Sequence, residues 1–203
     1  MGVELKQVAP KTNELREFGE NPRSLALRLG VSKAESVADR LQDKSYWICI
    51  GSDQVCHMAK TCFEKPRTFA NAALQLKAFS NRWVTFSTSL ALISSQGQSF
   101  RAVEDYKCRF KSLSEAEIDR YIRLDKPLDC AGSIRAEKTG ITLLKDAKGR
   151  DVNVLYGFPL ILFSEALQGF SDLPGRFHTA NVKDLRPVSA ASGPGASSRL
   201  VGC

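Results

Sequence analysis

The sequence has no run of about 18 apolar residues, the length that reads as a membrane span, and no block of five or more Lys and Arg. It has no Cys-x-x-Cys pair, and His57 and His178 are its only histidines, so the closely spaced ligands of a structural zinc site are missing. No charged-then-apolar leader opens the chain, and a soluble, cytoplasmic protein without membrane contact is expected. The net charge of +7 is scattered along the chain rather than clustered. No platform of interleaved Arg and aromatic residues accompanies it, which argues against a nucleic-acid partner. Such a surplus reads as a solvated basic surface, and it also suits an anionic small molecule such as a nucleotide.

What is present is an ordinary globular composition, 43% hydrophobic and 25% charged in 203 residues, enough for one domain with a real core. Six cysteines occur, at 49, 56, 62, 108, 130 and 203. Cys49 lies in an apolar run and Cys130 beside Ala131 and Gly132, so buried thiols in a reducing compartment are expected rather than disulfides. The spacing predicts a helix over 21–42, capped by Asn21, started by Pro22 and apolar along Leu25, Leu29, Val37 and Leu41. A buried strand follows at Tyr46–Ile50, ended by Gly51, Ser52 and Asp53. A second helix is expected over 66–79, opened by Pro66, with Phe69, Leu76 and Phe79 in the core. Residues 82–95 and 99–110 read as a hairpin around Gln96-Gly97-Gln98. Ser114 and Glu117 form a capping box for a helix burying Ile118, Tyr121 and Ile122. Ile141–Leu144 reads as a strand, Lys148–Asp151 as a turn, and Pro159–Leu167 as a last helix. From about Ser171 the chain turns small, polar and breaker-rich, and 171–203 is expected to be a disordered tail. Helices mixed with strands and a hairpin give an α/β (α+β) domain over 1–170 with a mixed sheet.

Asp53 at the end of a strand is either a turn-forming carboxylate or, since open sheets bind ligands beyond their strand ends, a metal ligand or proton acceptor. Lys33 falls inside the apolar arc of the first helix, either snorkelling outward or pointing into a site that needs positive charge. Lys65 before Pro66 and Glu14 in a polar stretch read singly as solvated side chains. Together, two carboxylates and two lysines would suit attack of water on a polyphosphate, with the carboxylates holding a divalent metal and the lysines offsetting phosphate charge.

The segments Gly51-Ser-Asp-Gln-Val55, Lys65-Pro66, Leu113-Ser-Glu-Ala-Glu-Ile-Asp119 and Pro127-Leu-Asp-Cys-Ala-Gly-Ser133 follow one another in register. Gly140-Ile-Thr-Leu143, Gly149-Arg-Asp-Val-Asn153 and Gly157-Phe-Pro-Leu-Ile161 continue the series, with Ala9-Pro10, Glu14 and Lys33-Ala34 upstream. In this order they resemble the Maf family of nucleoside-triphosphate pyrophosphatases over about residues 2–168. The resemblance implies a Maf/ITPase-like elongated mixed sheet flanked by helices, and a metal-dependent hydrolase (magnesium or manganese) splitting a nucleoside triphosphate into monophosphate and pyrophosphate. It further implies Asp53 as proton acceptor, Glu14 with Asp53 at the metal, Lys33 and Lys65 on the phosphates, and a homodimer. Gln54 and Glu137 match positions that separate the family's 7-methyl-GTP branch from the branch acting on dTTP and UTP. A carboxylate at Glu137 would suit the N–H donors of a guanine edge or the positive charge of a methylated N7.

The chain also departs from the family pattern. Asn13 stands for a usual Asp, Glu64 for a usual Gly, and Tyr156-Gly157-Phe158 for Val-Gly-Leu. The family's opening strand and Ser-x-Ser-Pro-x-Arg-Arg phosphate loop have no counterpart, so the expectation is an N-terminally truncated member. Two alternatives stand beside a 7-methyl-GTP pyrophosphatase: a dTTP/UTP-type enzyme, and an inactive remnant that at most binds nucleotide. Surplus basic side chains that could stand in for a phosphate loop are Arg23, Arg67 and Arg150.

Overall fold

Alternation along the strands decides which side of the sheet each residue faces, and that alternation positions the candidate site. The computed structural model describes residues 5–41, 46–170 and 199–202. Eight strands join in one sheet: β1 (Leu5–Gln7), β2 (Trp47–Gly51), β3 (Gln54–Met58), β4 (Thr61–Phe63), β5 (Trp83–Ser94), β6 (Ser99–Phe110), β7 (Leu144–Lys148) and β8 (Arg199–Gly202). The helices are α1 (Pro22–Ala38), α2 (Phe69–Phe79), α3 (Glu115–Asp125) and α4 (Leu160–Leu167). This is the mixed α/β architecture expected.

β5 is the spine. One edge pairs with β6 over nearly its whole length, as the hairpin pattern predicted. The other edge is shared between β2, from Ile48 opposite Ser94 to Gly51 opposite Ala91, and β3, from Gln54 opposite Thr88 to His57 opposite Thr85. The register is continuous across the break at Ser52 and Asp53, so β2 and β3 act as one strand with a corner in it. Residues of even number here, Ile48, Ile50 and Cys56, face α4, α2 and α3 in two apolar clusters. Odd-numbered Cys49 and Val55 face α1, packing against Val37 and against Leu25 and Leu29.

β8 lies parallel between β1 and β2, so β2 is extended outward on one side of the corner while β4 extends β3 on the other. β1 and β8 run toward the corner, and β4, antiparallel to β3, returns toward it. Residues 12–16 and 64–67 run past the corner on the β4 side. Ligand sites of open sheets lie at such divisions.

Several sequence expectations need correction. α1 is capped by the Asn21 side chain as predicted but ends at Ala38, where its bonds tighten to three-residue spacing, Arg40 N–H to Val37 O and Leu41 N–H to Ala38 O. α2 starts at Phe69, not Pro66, because Arg67 adopts a left-handed φ of +64° and Thr68 Oγ1 supplies the cap. Phe69 is therefore exposed, and Ala72, Leu76 and Phe79 form the buried stripe. Residues 139–143 form a 3-10 turn that tucks Leu143 into the core, and the strand is the following, mostly exposed edge β7. The β3–β4 hairpin was not anticipated. The capping box and its three core residues are as predicted. Of the expected disordered tail, 171–198 and 203 lie outside the described residues, whereas Arg199–Gly202 are a strand, the short apolar Leu200-Val201 pair sitting at its centre.

Candidate active site

The corner between β2 and β3 is built by side chains taking the place of ladder bonds. Ser89 N–H donates to Asp53 O at 2.9 Å, but the Asp53 amide turns to Ser89 Oγ at 3.0 Å instead of the Ser89 carbonyl. That carbonyl accepts from Ser52 Oγ at 2.7 Å, and the same hydroxyl is 2.9 Å from Gly157 O. Ser87, Thr88 and Ser89 are all fully buried. The sequence signal for this construction is three successive hydroxyl residues inside a long strand.

α1 approaches the corner closely because two glycines meet there. A Cβ on Gly51 would lie 2.1 Å from Gly30 O and 2.7 Å from Ala34 N, and one on Gly30 would lie 2.2 Å from Ser89 Oγ. This contact carries Lys33 to Asp53. Lys33 Nζ donates to Asp53 Oδ1 at 2.5 Å and stands 3.0 Å from Glu14 Oε1. Lys33 thus points inward, 14% exposed, onto these two carboxylates.

Asp53 is 15% exposed at its side chain against 55% for Glu14. Burial pushes the Asp53 carboxyl above the usual aspartate range, the bond and charge of Lys33 oppose this, and the charge of Glu14 adds to it. For Lys33 burial works the other way, but the bonds and charges of Asp53 and Glu14 outweigh it and raise its pKa. Glu14 is lowered by its bond to Lys33, against some burial, with Lys65 and Arg67 contributing charge. Asp53 is thus the more basic carboxylate of the two when ionised, held beside a lysine that keeps its proton.

Both carboxylates line a cleft of about 710 Å³ between α1, the start of β3 and the end of β4, with Gln54, Glu64, Lys65 and Arg67 on its walls. Gln54 faces the side away from α1. Its Nε2 lies 2.6 Å from Val154 O, 3.3 Å from Leu155 O and 3.2 Å from Thr88 Oγ1, so the amide nitrogen is committed to backbone carbonyls. Glu137 is not part of the cleft wall. It sits half-exposed between two 3-10 turns, 3.6 Å from the Arg135 guanidinium. Arg23 binds Asp105 and Val103 O, Arg150 binds Glu104 and Glu165, and neither is among the residues lining the cleft.

Among the described residues no group of three or more His, Cys, Asp and Glu is placed to hold a metal. Asp53 and Glu14 nevertheless converge on one cationic nitrogen, and a pair of hard oxygen donors of this kind fits an ion that draws its other ligands from water and phosphate. Cys56, Cys62, Cys108 and Cys130 are free thiols, and Cys49, Cys56 and Cys108 are buried. No described helix is long and apolar enough to cross a membrane.

The arrangement is a buried carboxylate and a more exposed one bridged by a lysine, at the wall of a cleft that Lys65 and Arg67 also line. The family model described as Maf-like protein matches residues 1–170, and the chain belongs to that family, whose members are in general nucleoside-triphosphate pyrophosphatases.

Proposed function

We propose that this protein hydrolyses a modified nucleoside triphosphate of the 7-methyl-GTP kind to the nucleoside monophosphate and pyrophosphate. The observation that carries this reading is the Lys33–Asp53–Glu14 cluster at the cleft wall. Water attacks the α-phosphorus, its proton passes to Asp53 Oδ, and the bond to the bridging oxygen breaks so that pyrophosphate leaves. A base raised by burial accepts that proton more readily than an ordinary aspartate. Lys33 and Lys65 offset phosphate charge, and incoming phosphate oxygens give Lys33 an alternative partner to Asp53, which frees the carboxylate for water. Glu14 and Asp53 would hold a divalent cation, magnesium or manganese, which supplies further charge stabilisation when bound.

Gln54 contributes to base selection. With its nitrogen committed to Val154 and Leu155, what it can offer a ligand is its oxygen, an acceptor suited to the N–H donors of a guanine edge. Glu137 is a weaker candidate for the same role, since it lies off the cleft wall.

The test is incubation with 7-methyl-GTP, dTTP and UTP in the presence of magnesium or manganese, followed by phosphorus NMR. Release of pyrophosphate, fastest from 7-methyl-GTP, supports the reading. Release of orthophosphate from the γ position, or faster turnover of dTTP, overturns it. A second reading, nucleotide binding without turnover, is favoured by one feature: Lys33 occupies both carboxylates at once. Saturable nucleotide binding with no product would decide for it.

A further inference from the structure

Of the three surplus arginines, Arg67 alone lines the cleft. One nitrogen of its guanidinium bonds Asp129 Oδ1 at 2.5 Å, with the two side chains 65% and 81% exposed. The backbone beneath it is unusual. Arg67 is a non-glycine residue at φ +64°, held there by its N–H bonding Leu128 O at 3.0 Å and by Thr68 N–H bonding Pro66 O at 2.7 Å. Such a conformation costs free energy and persists only where its surroundings impose it. Here they fix the root of the side chain two residues from Lys65, at the rim of the cleft, while its head rests on a solvent-facing carboxylate.

An exposed ion pair of this kind contributes little and is screened by salt. A polyphosphate offers more charge and paired oxygens that match the flat guanidinium fork, which a lysine point charge does not. Arg67 is near enough to the carboxylates to pull the Glu14 pKa down, after the larger effects of Lys33 and Lys65.

We propose that Arg67 is a phosphate ligand of this cleft held in reserve by Asp129: without ligand its guanidinium rests on Asp129, and a bound polyphosphate takes it over. The proposal rests on the reading of the cleft as a triphosphate site, and supplies it with an arginine beside Lys33 and Lys65. Asp129 is then a positioning residue that competes with the ligand, so removing it strengthens binding.

The experiment is titration calorimetry of the full chain with inorganic tripolyphosphate at low salt. Arg67→Ala should weaken binding roughly tenfold, the scale of one charge-assisted hydrogen bond. Asp129→Asn should tighten it about threefold, the scale of an exposed ion pair, a gain that misfolding does not produce. In the double variant the gain should vanish, because it acts only through Arg67. Unchanged affinity in Arg67→Ala overturns the proposal and leaves the triphosphate reading standing. So does an equal gain from Asp129→Asn with Arg67 absent, which would make it a general charge effect. A wild-type chain that does not bind tripolyphosphate at all overturns both.

Discussion

A methyl group on Gly51 would stand 2.1 Å from the carbonyl oxygen of Gly30, so helix and strand touch through bare backbone. Backbone cannot swing aside as a side-chain end can. Gly51→Ala should therefore push α1 away from β2 and lower stability by at least about 2 kcal/mol, an overpacking cost. Chemical denaturation measures it. Because the shift also withdraws Lys33 from Asp53, nucleotide binding should fall with stability. Wild-type stability in this variant would show that α1 and β2 can separate there without cost.

Asp53→Asn keeps the shape of the side chain and removes the base. Turnover should fall by roughly a hundredfold or more while nucleotide still binds, the pattern of lost general-base catalysis. Single-turnover kinetics and equilibrium binding on the same variant separate the two quantities. Near-normal turnover would remove Asp53 from the mechanism.

The pH profile should respond to the neighbours of Asp53 with opposite signs. Burial sets the raised pKa, Glu14 adds to it and Lys33 opposes it. The acid limb of kcat/KM should lie above an ordinary aspartate titration. It should move down in Glu14→Gln and up in Lys33→Met. Stability follows the same linkage: a carboxyl raised in the folded state contributes stability that is present below its unfolded pKa and lost as pH rises through the folded one. The stability of Asp53→Asn relative to wild type should accordingly improve between acid and neutral pH. A relative stability that falls over that window would mean that the ion pair with Lys33, not burial, governs Asp53.

Base preference should follow Gln54 more than Glu137. Gln54→Ala opens both the acceptor and the anchoring bond to Val154 O, and should cut the preference for 7-methyl-GTP over dTTP by roughly 1–3 kcal/mol in kcat/KM. Glu137→Gln, half-exposed and off the cleft wall, should change it by less. The reverse ranking would place the base near the 130–140 turns.

Much of the local structure was legible because it depends on neighbouring residues. Asn21-Pro22, the Ser114–Glu117 box and the Gln96-Gly97 turn each define their own element, and all were read. Asp53 at a strand end was legible for the same reason. What escaped depends on residues far apart in the chain. Gln54–Met58 has no clean alternation, and becomes a strand because β5 offers it the rest of an edge already begun by β2. Lys33 and Asp53 are brought together by Gly30 and Gly51, whose spacing in the sequence carries no hint of contact. Phe69 was misplaced because the helix start was set by the backbone of Arg67, a conformation that composition does not reveal.

The unbroken register across the corner also fixes its length. Gly51 faces Ala91 and Gln54 faces Thr88, with two residues on each strand between those pairs. An insertion or deletion of one residue at Ser52-Asp53 would exchange the faces of everything downstream on β3. Val55 would leave α1 for the side of Phe86, Cys56 would take its place, and the carboxylate would turn away from Lys33. The loop that carries the candidate base is thus fixed in length by the register of β5 as well as in residue type by the bonds of Ser52 and Asp53.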